Sequence, residues 1–250
     1  MIRFIPLIVV CFALPSQGIA QTDEALAREL LERTDDMHRG ESSTATITMH
    51  VKTDRYERTM TMRIWSQGEE KSLIIIEQPP KEAGTATLKD GNNIWNYLPN
   101  VDRTMKVPTT MMSGNWMGSH FTNDDLVKDS RMADDYSYAI IERPKDNEER
   151  LWVIELTPKE EAAVVWGKVV VKIRDADRVP TEIMYWNERG EPKRTMQFFN
   201  VKKIDGRMVP MTMRLIPNDK PQEFTEFQYE SLDFDVEIPA STFSLQALKK

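Results

Sequence analysis

Cysteine and histidine are scarce in this 250-residue chain, which holds one cysteine, Cys11, and three histidines. No disulfide, thiolate metal site or cysteine nucleophile is therefore available to the bulk of the chain. His120 stands near Asp124 and Asp125 in the sequence, but so few hard ligands on a short loop lack the spacing of a specific metal site. We interpret His120 as a polar residue beside the start of a helix.

The local motifs of common enzymes are also missing. The sequence contains no G-x-S-x-G, H-E-x-x-H, P-loop or dinucleotide-binding fingerprint. A glycosidase pair among the 40 acidic residues stays open, since such pairs follow no local spacing rule. We expect a binding protein that is not an enzyme, with no catalytic residues, no metal and no cofactor.

Net positive charge and long apolar runs are lacking as well. The formal net charge is −7, which disfavours nucleic acid and anionic membrane surfaces as partners. The longest apolar run, Phe4 to Leu14, follows Arg3 and leads to small residues that end at Ala20. It is shorter than the about 20 residues that span a bilayer. The pattern predicts a signal peptide, residues 1–20, that is cleaved from an exported, soluble protein without stable membrane insertion; an N-terminal anchor helix is the alternative.

Residues 21–250 predict one mainly β domain with a few helices. A helix is expected to begin at Thr22 or Asp23 and to stop at Gly40. Beyond it, apolar residues recur at every second position and turn signals follow at short intervals. This pattern predicts roughly a dozen antiparallel strands joined by hairpins.

Two later strands are apolar on both faces. In the first, Ile183 and Tyr185 alternate with Met184 and Trp186, and the next strand repeats the pattern. An antiparallel sheet with a solvated face would be polar on one side. We therefore expect the N-terminal helix and a loop to cover the middle of the sheet.

The stretch "PTTMMSGNWMGSHF" (residues 108–121) combines apolar side chains with glycines that allow a hinge. We expect its residues Met111 to Phe121 to be a mobile lid that crosses the sheet and gives way to cargo. Thr122 and Asp125 predict the capping box of a short helix that runs to about Lys128. The sheet is expected to resume near Tyr136.

Methionine is the positive signal, with fifteen in the chain. Its unbranched thioether suits surfaces that accept variable apolar shapes, although ordinary core filling is the simpler interpretation of any single methionine. If the lid serves cargo and not the core, a charged residue at Trp116 or Met117 should weaken lipid uptake more than folding. The residues expected to contact lipid are Met60, Met62, Ile64, Trp95, Tyr97, Met105, Met111, Met112, Trp116, Met117 and Phe121.

Three segments carry a family resemblance: "WNYLPNVDRTMKVP", "GNWMGSHFTNDDL" and "IPASTFSLQAL". In this order they resemble the LolA-like outer-membrane lipoprotein-sorting proteins. The resemblance implies a curved antiparallel sheet that forms an incomplete, half-open β-barrel, with the N-terminal helix and the lid over its concave face. The chain is longer than the standard lipoprotein carrier, and His120 stands where an acidic residue is expected. These differences indicate the broader branch of the family, which is linked with membrane exporters.

The resemblance also implies a periplasmic carrier that binds the acyl chains of a lipoprotein or lipid for transfer towards the outer membrane. An inner-membrane exporter and an outer-membrane acceptor are the expected partners. The alternative is a periplasmic lipid-sensing or regulatory module of the same fold. Such sensors have a second domain, and this sequence ends after "QALKK" without one, which favours the carrier. A secreted hydrolase is a more distant alternative.

Overall fold

The computed structural model describes residues 17–127, 131–162 and 164–249. The helices in these ranges are α1 Gln17–Asp36, α2 Asn123–Val127 and α3 Met132–Asp135. The strands are β1 Ser42–Lys52, β2 Glu57–Gln67, β3 Lys71–Gln78, β4 Ala86–Asp90, β5 Asn93–Leu98, β6 Arg103–Lys106, β7 Tyr136–Glu142, β8 Leu151–Pro158, β9 Lys168–Arg174, β10 Pro180–Trp186, β11 Pro192–Ile204, β12 Arg207–Pro217 and β13 Phe224–Phe234.

The strands form one antiparallel sheet in the order β6-β5-β4-β3-β2-β1-β13-β12-β11-β10-β9-β8-β7. Within the described part of the chain, the pairing of β1 with β13 alone joins strands that are distant in sequence. Among the described residues the outer strands β6 and β7 do not pair, so the sheet stays open as an incomplete barrel. The chain between them, residues 107–135, carries the lid, α2 and α3. The predicted mainly β, antiparallel fold is confirmed.

One face of the sheet carries the main core. Along β1, the inward side chains Ala45, Ile47, Met49 and Val51 are buried, as the alternation predicts. They belong to one apolar cluster with Met60 and Met62 of β2, Leu30 and Leu31 of α1, and Trp116 and Phe121 of the lid. This shared burial identifies the face beneath α1 and the lid as the concave one.

Helix α1 differs at its start from the sequence expectation. It begins at Gln17, two residues after Pro15, and not at Thr22 or Asp23. The predicted signal peptide lies outside the described residues except for its last four. At the other end, Gly40 adopts φ +64°, and a Cβ atom there would lie 2.8 Å from Asp235 Oδ1, which explains why glycine follows the helix. None of the helices described here is long and apolar enough to cross a membrane.

The convex face carries two smaller apolar clusters. The first joins Leu73 and Leu88 to Phe243 and Leu248 of the C-terminal segment, which lies across β3 to β5. The second groups outward side chains of β8 to β10 around Val153. The cover on both faces accounts for β10, whose Met184 and Trp186 pack in the second cluster, whereas Phe199 on the outer face of β11 is exposed.

Candidate functional site

A cavity of about 420 Å³ lies between the concave face and the elements that cover it. This volume falls within the range of about 300–1,000 Å³ that is usual for small-molecule sites. Its apolar wall comes from the two halves of the sheet, with Ile47, Ile64, Ile74, Phe198, Met213 and Phe227 among its members. The C-terminal end of α1, the lid and α2 complete the enclosure. Such a cavity shields an apolar chain from water.

The lid is closed on itself as a small hairpin. Trp116 N donates to Phe121 O at 2.8 Å, and the Ser119 hydroxyl donates to Trp116 O at 2.7 Å. Two residues at the tip, Met117 and Gly118, have positive φ angles of 50° and 66°. These internal hydrogen bonds hold the lid in one shape, so it packs as a unit against the sheet.

Residues of β2, of β4 and of the turn before β2 hold the lid against the sheet. Trp116 Nε1 donates to Thr87 Oγ1 of β4 at 3.2 Å. Arg58 donates to Met117 O at 2.6 Å, and the hydroxyl of Tyr56 donates to Gly118 O. The lid therefore has polar attachments to the sheet in addition to its apolar contacts.

His120 fastens the end of the lid to the start of β13. Its Nδ1 lies 2.8 Å from Thr225 Oγ1, and its Nε2 lies 3.1 Å from Glu223 Oε2. The hydrogen bonds from His120 and Lys220 lower the pKa of Glu223 to about 2. This pairing with Glu223 gives His120 a structural role where the family resemblance led us to expect an acidic residue.

The capping box of α2 is present and is linked to the sheet. Thr122 N donates to Asp125 Oδ2 at 2.8 Å, and Asp125 N donates to Thr122 Oγ1 at 3.1 Å. Arg194 of β11 donates to both oxygens of Asp125 at 2.7 and 2.8 Å. Burial alone would raise the pKa of Asp125, but the hydrogen bonds and charge of Arg194 outweigh it and lower that pKa. The expected helix end near Lys128 lies outside the described residues.

Aromatic rings flank the guanidinium of Arg194. Its central carbon lies 4.5 Å from the ring centre of Trp166 and 4.8 Å from that of Tyr185. Both rings line the cavity, as does Arg194 itself. The cation is therefore held in place by Asp125 and two π faces.

Two titratable groups at the end of α1 also line the cavity. Burial raises the pKa of Asp35 to about 7, against the opposing charge of Arg39. Burial lowers the pKa of His38 to about 4, so this ring is neutral at pH 7. His38 stacks on Tyr229 with ring centres 4.6 Å apart and extends the aromatic part of the wall.

The raised pKa of Asp35 predicts a pH-dependent stability. Because the folded protein holds this proton up to about pH 7 while the unfolded chain releases it near pH 4, this group's contribution to the free energy of unfolding falls as the pH rises between these values. We expect Asp35→Asn to remove this pH dependence. Relative to the original protein, the variant's free energy of unfolding should therefore rise by about 2 kcal/mol between pH 5 and pH 8. Urea unfolding at both pH values measures it.

Asp36→Asn is the matched control for this prediction, because the neighbouring side chain of Asp36 is 53% exposed. Its stability difference from the original protein should be the same at both pH values. Equal pH dependence in Asp35→Asn and Asp36→Asn would contradict the assignment of the raised pKa to Asp35.

Six of the eleven residues predicted to contact lipid lie on the side of the cavity. Ile64, Trp116 and Phe121 line it. Met60 and Met62 are buried in the same core without reaching the cavity wall, and Met117 packs against that core from the lid. Lipid contact by these six residues stays a prediction.

The other five do not lie on the cavity wall. Trp95 and Tyr97 pack on the convex face with the C-terminal segment, because alternation shows that they share a face but not which face is concave. Met105 and Met111 are exposed and Met112 is half-buried away from the cavity. The expected position of Trp95 and Tyr97 on the cavity wall is wrong, whereas lipid contact by Met105, Met111 and Met112 stays a prediction.

The sequence interpretation missed most of the polar and aromatic wall. Tyr185 and Met196 lie in the strands that are apolar on both faces, and that pattern could have identified them as cavity residues. Asp35, His38 and Arg194 gave no signal, since their partners are distant in sequence. Within the described ranges, no group of three or more His, Cys, Asp or Glu side chains is placed to hold a metal ion.

Solved structures share this architecture. A domain from Vibrio parahaemolyticus, described as a candidate outer membrane lipoprotein-sorting protein, superposes with a TM-score of 0.76 at 26% identity, covering 92% of this chain and 100% of that chain. A DUF1329 family protein from Desulfovibrio piger gives 0.78 at 20% identity, covering 90% and 99%. A LolA superfamily protein from Nitrosomonas europaea gives 0.71 at 21% identity, covering 88% and 98%. The fold is therefore that of the LolA-like open barrels, and the resemblance to these proteins is confirmed.

A family model also matches the chain. The model carries the description "Uncharacterized protein" and matches residues 68–250. The chain belongs to this family, which is distinct from the standard lipoprotein carrier. No curated protein matches the chain in sequence.

Proposed function

We propose that the protein is a periplasmic carrier that encloses the acyl chains of a lipoprotein or lipid and transfers them towards the outer membrane. The observation that carries the proposal is the cavity of about 420 Å³ between the concave face and its covering elements. An acyl chain gains about 0.8 kcal/mol for each methylene that leaves water. The apolar part of the cavity wall supplies that gain to a chain that crosses an aqueous compartment.

The likeness to the Vibrio domain, described as a candidate lipoprotein-sorting protein, supports the same function. In this proposal residues 1–20 direct export and are removed. An inner-membrane exporter supplies the cargo and an outer-membrane acceptor receives it. The role is binding and transfer, without catalysis.

Filling the cavity should block binding. Ala45 lines the cavity from β1, and Ala45→Phe places an aromatic ring where cargo would lie. If the ring displaces two or three methylenes, the affinity for an acyl chain should fall at least about tenfold. Titration with a fluorescent 16-carbon fatty acid measures this affinity, and urea unfolding tests that the variant is folded.

Ala139→Phe is the matched control, since Ala139 is exposed on the edge strand β7. It should bind the fatty acid as the original protein does. Unchanged binding in a folded Ala45→Phe variant would refute the proposal that the cavity is the cargo site. Native mass spectrometry of the protein from the periplasm of producing cells should further detect a bound lipid or lipoprotein.

A further inference from the structure

Several buried polar atoms near the cavity lack a partner. Within the described ranges, Asp35 Oδ2, Tyr136 Oη and Arg194 Nε are buried and make no hydrogen bond. Tyr136 is only 1% exposed, and the side chain of Arg194 is 11% exposed. A buried polar group without a partner is costly, and such groups are rare in folded proteins. Asp35 and Arg194 line the cavity and Tyr136 interacts with Arg194, so the three atoms indicate a place for a polar ligand group.

These atoms belong to one group of side chains, which we call the polar cluster: Asp35, Tyr136, Tyr185 and Arg194. Tyr185 interacts electrostatically with Arg194 and Asp35, and Tyr136 interacts with Tyr185 and Arg194. Asp35, Tyr185 and Arg194 all line the cavity. The polar cluster is therefore within reach of cargo that occupies the cavity.

The unpartnered atoms need both kinds of hydrogen-bonding group. Arg194 Nε only donates, and the other side-chain nitrogens of Arg194 are already bound to Asp125. Asp35 Oδ2, when ionised, only accepts. Above about pH 7, where Asp35 is ionised, a ligand group that satisfies both must accept one hydrogen bond and donate another, as a hydroxyl or an amide does.

Charge argues against an ionised ligand group. The charged side chains on the cavity wall are four acidic and four basic ones: Asp35, Glu69, Asp124 and Asp125 against Arg39, Lys71, Lys89 and Arg194. These charges cancel, and Asp125 already neutralises Arg194 at the polar cluster. A buried unpaired charge is expensive, so a carboxylate beside Asp35 would bind poorly.

We propose that the polar cluster is a subsite for an uncharged polar group of the cargo, a hydroxyl or an amide attached to the acyl chain. This inference rests on the proposed function of acyl-chain binding. Glyceride hydroxyls would come from a free lipid, whereas an N-acyl amide would come from an acylated protein.

Three probes with the same 12-carbon acyl chain test the subsite: 1-monolauroylglycerol, N-lauroylglycinamide and laurate. At pH 8 a neutral probe should bind the original protein about tenfold more tightly than laurate, as measured by isothermal titration calorimetry. The tighter of the two neutral probes distinguishes a free lipid from an acylated protein as the source. Equal affinity for all three probes would overturn the subsite.

Two variants test whether the preference for neutral probes over laurate arises at the polar cluster. Asp35→Asn removes the negative charge and keeps the shape, so we expect laurate to gain about fivefold and the preference to shrink. Tyr185→Phe removes a hydroxyl from the cavity wall and should weaken the neutral probes about fivefold. Tyr97→Phe on the convex face is the matched control and should change nothing.

The outcomes separate this inference from the proposed function. If no probe binds, the proposed carrier function fails together with the subsite. If all three probes bind and neither Asp35→Asn nor Tyr185→Phe alters their relative affinities, the carrier function stands and the polar subsite is refuted. Thermal unfolding of each variant confirms that changes in affinity are measured on folded protein.

Discussion

Replacing Trp116 with alanine is expected to lower the free energy of unfolding by about 3–5 kcal/mol, the usual cost of deleting a buried tryptophan side chain. Trp116 is 2% exposed and belongs to the same cluster as Met60, Met62 and Phe227. The variant also loses the hydrogen bond from Nε1 to Thr87. Urea unfolding followed by circular dichroism measures the loss.

Met111→Ala is the control from the same loop, because its side chain is 59% exposed. We expect its stability to stay within about 0.5 kcal/mol of the original protein. If Trp116→Ala lowers the free energy of unfolding by less than about 1 kcal/mol, the indole does not contribute to the core and can leave it at little cost.

The burial of Trp116 changes the expectation for the lid. From the sequence, a charged residue at Trp116 or Met117 was expected to affect lipid uptake more than folding. For Trp116 the structure indicates the reverse, since a charge there would be buried in the main core. Met117 is only partly buried, so at this position the original expectation stands. The lid thus contains one residue, Trp116, that anchors it in the core, and others that are only partly buried or exposed.

The strands could be predicted from the sequence because their signal is local. Alternation in β1 placed Ala45, Ile47, Met49 and Val51 on one face, and all four are buried. The capping box of Thr122 with Asp125 was also readable, since its two residues are three positions apart. Signals of this kind depend on neighbours in the chain and need no knowledge of the fold.

The cavity could not be predicted to the same depth, because its wall depends on contacts between distant segments. The pairing of β1 with β13 brings Ile47 beside Tyr229. No local sequence pattern predicts this pairing. Trp95 and Tyr97 were misplaced because the C-terminal segment, which covers them on the convex face, lies about 150 residues further on. Alternation divides a strand into two faces, and only the tertiary fold decides which face encloses the cavity.

Arg194 shows the same limit for polar residues. In the sequence it lies in the polar segment "EPKRT" at the start of a strand, and this composition indicates a solvated charge. In the structure it reaches Asp125, 69 positions away, and lies against two aromatic rings. A buried ion pair of this kind leaves no trace in local composition.

Replacing Arg194 with methionine should therefore be strongly destabilising. The side chains of Arg194 and Asp125 are 11% and 17% exposed, and the variant leaves Asp125 as a buried charge without its partner. Removing one member of a buried pair costs about 3–5 kcal/mol. Because Arg194 joins β11 to the helix that follows the lid, the loss should also loosen α2. Urea unfolding measures the first effect, and hydrogen exchange of the Asn123–Val127 amides measures the second.

An exposed pair in the same protein supplies the control. Arg28 and Glu32 lie one turn apart on α1 at 2.8 Å, with side chains 47% and 41% exposed. Arg28 also donates to Asp134 at 2.7 Å. Because both ion pairs of Arg28 are exposed to solvent, we expect Arg28→Met to be far less destabilising than Arg194→Met. The double variant Arg194→Met with Asp125→Leu should recover much of the loss, since it removes the stranded charge as well. Equal losses in Arg194→Met and Arg28→Met would mean that the Arg194–Asp125 pair is solvated and does not fix α2 over the cavity.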